Sequence, residues 1–171
     1  MVTIIVAYDE NRVIGCKGRL PWHIKEDMAS FKKLTLKQVV IMGRKTWDSL
    51  PENYKPLPNR PNIIVSRKAA MLEKQNKWSL KEVYFESDLS EAIGFASEAF
   101  PDKEIFIIGG EQIYRQSLEQ GLVDKVIASE IKGIHEGDVF FPELPIQGIE
   151  IVKSRKLIQE FDDFCIVEYV L

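Results

Sequence analysis

The segment LPWHIKEDM (20–28) leads into a helical pattern in which Ile24, Met28, Phe31 and Leu34 recur at spacings of four, three and three. Counting from Ile24 at about 100° per residue, Met28 falls at about 40°, Phe31 at about 340° and Leu34 at about 280°. Asp27 falls at about 300°, inside that apolar face, whereas Glu26 points away at about 200°. A carboxylate turned toward apolar surface is costly unless something there requires it. The alternative is an acid that merely caps the first turn of the helix.

Two other places have the chemistry of an anion site. In IMGRKTW (41–47) a strand ending at Gly43 turns directly into a helix near Arg44, so free backbone N–H groups, Arg44 and Lys45 point the same way. The strand NIIVS ends in Ser66, Arg67 and Lys68. If the two strands are neighbours, their ends gather four cations and a hydroxyl. A dinucleotide site selecting NAD would instead offer an acid to the ribose hydroxyls, so this cluster points to the phosphorylated ribose of NADP. The second place is FIIGGEQIY (106–114), where paired glycines before a helix let the backbone approach a pyrophosphate closely. It is not G-x-G-x-x-G, and the Rossmann fingerprint is absent.

These residues need a scaffold, and the apolar runs supply it. Segments 3–8, 38–43, 62–66, 82–85, 104–110 and 125–131 read as strands, the first five apolar on both faces as in a parallel sheet. Helical patterns cover about 25–35, 44–50, 88–98 and 111–119. Residues 148–159 and 163–171 read as a closing antiparallel hairpin. The expected architecture is α/β: one domain over 1–171, with a central mixed sheet of about eight strands, mostly parallel, flanked by four helices. Four prolines in 51–62 stiffen the connection before the third strand. Both phosphate cradles lie at carboxyl ends of strands, where open α/β sheets bind ligands.

Composition narrows the class. The 171 residues, 45% hydrophobic and 29% charged, suit a globular domain. A net charge of −3 argues against a nucleic-acid partner. Two cysteines, Cys16 and Cys165, and two isolated histidines show no metal or redox spacing, which fits reduced thiols and no metal. The start MVTIIVAY is short and uncharged for a leader, and no apolar run reaches about 18 residues, so a cytoplasmic protein without a membrane partner is expected.

Asp27 in its helix face, GRKT and IIGGEQIY, with NRVIG (11–15), PLPNRPNIIVS (56–66) and EGDVFFPE (136–143), together resemble the dihydrofolate reductase family, most of all its bacterial chromosomal type. The resemblance implies reduction of 7,8-dihydrofolate to tetrahydrofolate with NADPH, a monomer, and a pocket that antifolates also occupy. It assigns Asp27 to the pterin, whose N3 and 2-amino donors a carboxylate accepts side by side. Ile5, Val6, Met28, Phe31 and Leu57 match the pocket walls, Ser129 a hydroxyl bonded to the acid, and Arg60 the partner of the glutamate tail. Leu20 and Trp22 match contacts of a mobile segment, 9–24, which closes over the nicotinamide and the reacting atoms.

On the cofactor side the resemblance assigns Ala7, Ile14 and Tyr114 to the nicotinamide. It assigns Gly43, Arg44, Lys45 and Thr46, then Ile108, Gly109, Gly110, Glu111, Gln112 and Ile113, to the phosphates. Ser66, Arg67 and Lys68 go to the 2′-phosphate, and the Gly109–Gly110 peptide is expected cis. Gln112 stands where many relatives have a basic residue, and Lys68 is a candidate to supply that charge. Two rivals remain: a pyrimidine reductase of riboflavin synthesis with the same fold and NADPH site, and a non-enzymatic nucleotide-binding module. The first would not need Asp27 or Arg60, and the second has no reason for the Leu20–Trp22 lid or for an acid in the pocket.

Overall fold

A computed structural model describes residues 1–75, 82–144 and 152–171. The strands are β1 (Val2–Asp9), β2 (Val13–Gly15), β3 (Val39–Gly43), β4 (Asn62–Val65), β5 (Val83–Glu86), β6 (Ile105–Ile107), β7 (Lys125–Ile131), β8 (Val139–Phe140), β9 (Ser154–Glu160) and β10 (Phe164–Val170). The helices are α1 (Lys25–Thr35), α2 (Arg44–Ser49), α3 (Ala69–Lys74), α4 (Leu89–Ala99) and α5 (Glu111–Glu119).

Eight strands form one sheet in the order β5-β4-β3-β6-β1-β7-β10-β9. The first six run parallel, and β10 lies antiparallel between β7 and β9. Every residue of β4, and Val39 to Met42 of β3, is buried, because helices and loops cover both faces of a parallel sheet. Side chains alternate between two cores. Ile4, Val6, Ile41, Tyr114 and Phe141 belong to one, and Ile5, Met42, Trp47, Phe106 and Phe164 to the other. The single α/β domain with its eight-stranded mixed sheet is the architecture expected from the alternation of runs.

Four details differ. The described residues hold five α-helices rather than four: α3 is six residues long and has no side-chain cap, so neither its length nor its ends mark it. A second sheet pairs β2 with β8, strands too short to show periodicity. The run 104–110 is a strand only over Ile105–Ile107, because the chain then breaks into a cis Gly109–Gly110 peptide, as expected, with Gly109 at φ +126°. The hairpin strand expected over 148–159 is β9, beginning at Ser154; residues 148–151 lie outside the described residues. β9 is exposed throughout, as an edge strand can be, and it carries a register shift opposite Ile166–Val167. Among the described residues, no helix is long and apolar enough to cross a membrane.

Candidate active site

The middle of the sheet supplies the floor of the site. β1 and β7 pair in parallel, with Ile5 beside Ile127 and Ala7 beside Ser129. Ile5 and Leu57 are buried in one core, with Ala7, Trp22, Ile24, Phe31 and Leu34 packed partly against it. Val6 turns the other way, into the core around Ile4 and Tyr114, as alternation along a strand requires. Its side chain therefore lies on the opposite side of the sheet from that of Ile5.

α1 packs Phe31 and Leu34 against the core of this floor. Its buried residues are Asp27 and Thr35, both polar. Phe31 and Leu34 are half-buried and Met28 keeps 48% of its surface, so the apolar stripe stands at the edge of the core rather than inside it. Asp27 itself is 8% exposed, and burial raises its pKa against the opposing hydrogen bond of Ser129, the direction expected from its apolar surroundings. A carboxyl in this position has acceptor capacity to spare for a ligand's donors.

Beyond the C-terminal end of α1 lies Arg60, which the family resemblance alone singled out. It is 3% exposed. Its Nε donates to the Pro58 carbonyl at 3.0 Å and one terminal nitrogen to the Thr35 hydroxyl, which donates in turn to the Phe31 carbonyl at 2.8 Å. Asn62 staples the loop: its Oδ1 accepts from the Leu57 N–H, and its Nδ2 donates to the carbonyls of Leu57 and Arg60 at 3.0 and 2.7 Å. Burial lowers the Arg60 pKa without removing its charge. Thr35, which sequence reasoning missed, fixes the guanidinium from behind; a threonine ending a helix has no signal of its own.

On the other flank, β3 and β4 are neighbours, Gly43 opposite Val65. Their ends place Arg44, Lys45, Arg67 and Lys68 on one exposed rim, with half-buried Ser66 among them. Arg44 also pairs with Asp48 at 3.0 Å, and the Ser66 hydroxyl accepts the Lys68 N–H at 3.2 Å. The Gly43 N–H donates to the Gly109 carbonyl at 2.7 Å, joining the two cradles. A Cβ on Gly110 would come within 3.1 Å of the Thr46 hydroxyl and one on Gly109 within 3.3 Å of the Tyr114 hydroxyl, so only glycines leave this backbone approachable. The Tyr114 hydroxyl donates to the Ile5 carbonyl at 2.9 Å, which ties the cradle to the floor.

The remaining positions spread out. Ile108 packs on the Ile5 side, whereas Ile113 and Ile14 join the Tyr114 core. Gln112 is exposed, and Glu111 pairs with Arg115 at 3.2 Å. In the segment expected to close, Lys17 to Leu20 are exposed, Leu20 by 53%. Trp22 is half-buried, and its Nε1 is buried without a partner among the described residues.

Comparison with known proteins agrees with this geometry. A family described as Dihydrofolate reductase matches residues 1–170. A dihydrofolate reductase of Neisseria gonorrhoeae is 42% identical over 143 residues, 84% of this chain and 80% of that protein. One of Buchnera aphidicola is 36% identical over 158 residues, 92% and 87% of the two chains. One of Heliothis virescens is 32% identical over 168 residues, 91% and 86% of them. With a buried acid on its helix, a glycine-paired cradle and a match along nearly its whole length, the chain belongs to the dihydrofolate reductase family of oxidoreductases.

Proposed function

We propose that the protein reduces 7,8-dihydrofolate to 5,6,7,8-tetrahydrofolate with NADPH as cofactor, feeding one-carbon metabolism. The reading is supported above all by Asp27, the buried acid of α1, on the helix whose Phe31 packs against the core of Ile5 and Leu57. An inward carboxylate there suits the two adjacent N–H donors of a pterin edge. Arg60, buried and fixed by Thr35 and Pro58, suits a carboxylate at the far end of the same ligand.

The residues present fit the cofactor. Gly109 and Gly110 leave the backbone bare for a pyrophosphate, while Arg44, Lys45, Arg67 and Lys68 offer more charge than a plain ribose needs. Bound NADPH supplies a hydride, delivered from nicotinamide C4 to pterin C6. The chain's own part is to hold the pterin edge at Asp27, to press the rings together against Ile5 and Ala7, and to exclude water with Leu20 and Trp22. Asp27 contacts the pterin edge remote from N5, so it orients and polarises the ring rather than handing over the proton itself. A water at Trp22 is the better donor, and the unpartnered Nε1 of that indole suits it.

On the same reading the protein is a cytoplasmic monomer, one domain over 1–171, with no nucleic-acid or membrane partner, and antifolates compete for the Asp27 slot. Mixing it with NADPH and dihydrofolate and following the nicotinamide absorbance tests the activity. Steady loss of absorbance that requires both compounds is expected. Oxidation of NADPH by a pyrimidine substrate instead would favour the riboflavin enzyme, and binding without turnover would favour the nucleotide-binding module.

A further inference from the structure

Asp9 ends β1 with a carboxylate sealed from solvent, and every acceptor position it has is used. Oδ1 accepts the N–H groups of Asn11 and Val13 at 3.0 and 2.9 Å. Oδ2 accepts the N–H of His135 at 2.6 Å and faces its Nδ1 at 3.3 Å. Burial pushes the carboxyl pKa up, but the donors from His135, Val13 and Asn11 outweigh it and leave the group below its ordinary value. An ionised carboxylate only accepts, so the His135 Nδ1 carries a hydrogen toward it and the ring is fixed in plane and tautomer. That ring then meets the indole of Trp22 nearly edge-on, centroids 5.1 Å apart at 67°.

The segment held this way has few other anchors. Cys16 and Arg19 bridge each other, and the Lys17 N–H reaches Asp138 at 3.2 Å, while Lys17 to Leu20 stay exposed. Trp22 is the bulky group by which segment 16–22 grips the core beneath α1. We propose that His135, clamped by Asp9, is a positioning residue for Trp22, holding that indole and the segment before it in place over the Asp27 slot. The imidazole touches neither ring of the reaction; it acts through the indole. The role it serves rests on the dihydrofolate reading above.

The full-length protein, its tryptophan indoles labelled with ¹⁵N, allows contact and consequence to be read separately. In His135→Ala the Trp22 Nε1–H resonance should shift, and the single-turnover rate of dihydrofolate reduction should fall about tenfold, the upper range for a lost aromatic contact. The dissociation constant of dihydrofolate should stay within about twofold. His135→Phe, which restores a ring at the same place without the clamp, should recover part of the rate. Asp9→Asn, which frees the imidazole to turn, should reproduce the resonance shift with an intermediate rate, and it stands in if the alanine variant fails to fold. An unmoved indole resonance in both His135→Ala and Asp9→Asn would overturn the proposal, as would equal loss of rate in the alanine and phenylalanine variants. A wild-type protein with no turnover would instead remove the dihydrofolate reading, while the resonance still reports whether His135 holds the indole.

Discussion

The Asp27 slot and the rim formed by the ends of β3 and β4 share one sheet and treat charge in opposite ways. In the slot a single carboxylate, 8% exposed, faces apolar walls with one hydroxyl to steady it. On the rim Arg44, Lys45, Arg67 and Lys68 stand in solvent, and Arg44 already pairs with an acid on its own helix. Buried charge is scarce and strongly coupled to whatever binds it; exposed charge is plentiful and screened. The slot therefore should depend on single atoms, and the rim on a sum of small contributions.

The sharpest way to break that contrast is Asp27→Asn. It should lower turnover at neutral pH by about 10²-fold or more, as loss of a charge positioned to polarise the reacting ring does, and it should abolish the pH dependence due to that carboxyl. Steady-state rates across pH check this, and near-wild-type turnover at neutral pH would remove Asp27 from the mechanism. Arg60→Gln comes next. Losing a buried charge-assisted contact should raise KM for dihydrofolate by about tenfold to a hundredfold with little change in kcat. A matching loss in kcat would mean that the arginine shapes the slot instead of holding the far end of the ligand.

On the rim, replacing Arg44 and Arg67 together with alanine should weaken NADPH about tenfold and NADH hardly at all. The difference should shrink at high salt, because both side chains are exposed. Equal losses for the two cofactors, by titration calorimetry, would deny these cations the 2′-phosphate. The smallest effect concerns stability. The Asp27 pKa is raised in the fold, so between its ordinary and its raised value the native state binds more protons than the unfolded chain, and stability falls as pH rises through that window. Asp27→Asn should therefore melt above the wild type at neutral pH. The advantage should vanish in acid, below the ordinary carboxylate range. Thermal melts at two pH values decide it.

Much of this layout is written in periodicity. The phase of Asp27 against Ile24 and Phe31 exposed an acid that burial in the structure makes costly. The adjacency of β3 and β4 was only a condition in the sequence, and the sheet meets it by pairing two runs that each end in cations. Arg60 was different. Its neighbours Pro58, Asn59 and Pro61 read as an ordinary loop, and only its family resemblance singled it out. Its burial depends on Asn62 stapling the loop and on Thr35 arriving from α1, 25 residues away in the chain. Val6 differs in another way, because its place in the matching motif does not reveal that its side chain points to the other core.

Local pattern alone determined the order of strands and helices, the inward phase of Asp27 and the positions of the glycine pair, because each depends on residues within a turn or a strand of one another. Tertiary structure decided the rest: which face Val6 takes, how Arg60 is sealed, and that Asp9 and His135, 126 residues apart, meet beside Trp22. Those contacts join distant segments, and no local preference encodes a distance that only the closed sheet brings to hydrogen-bond length.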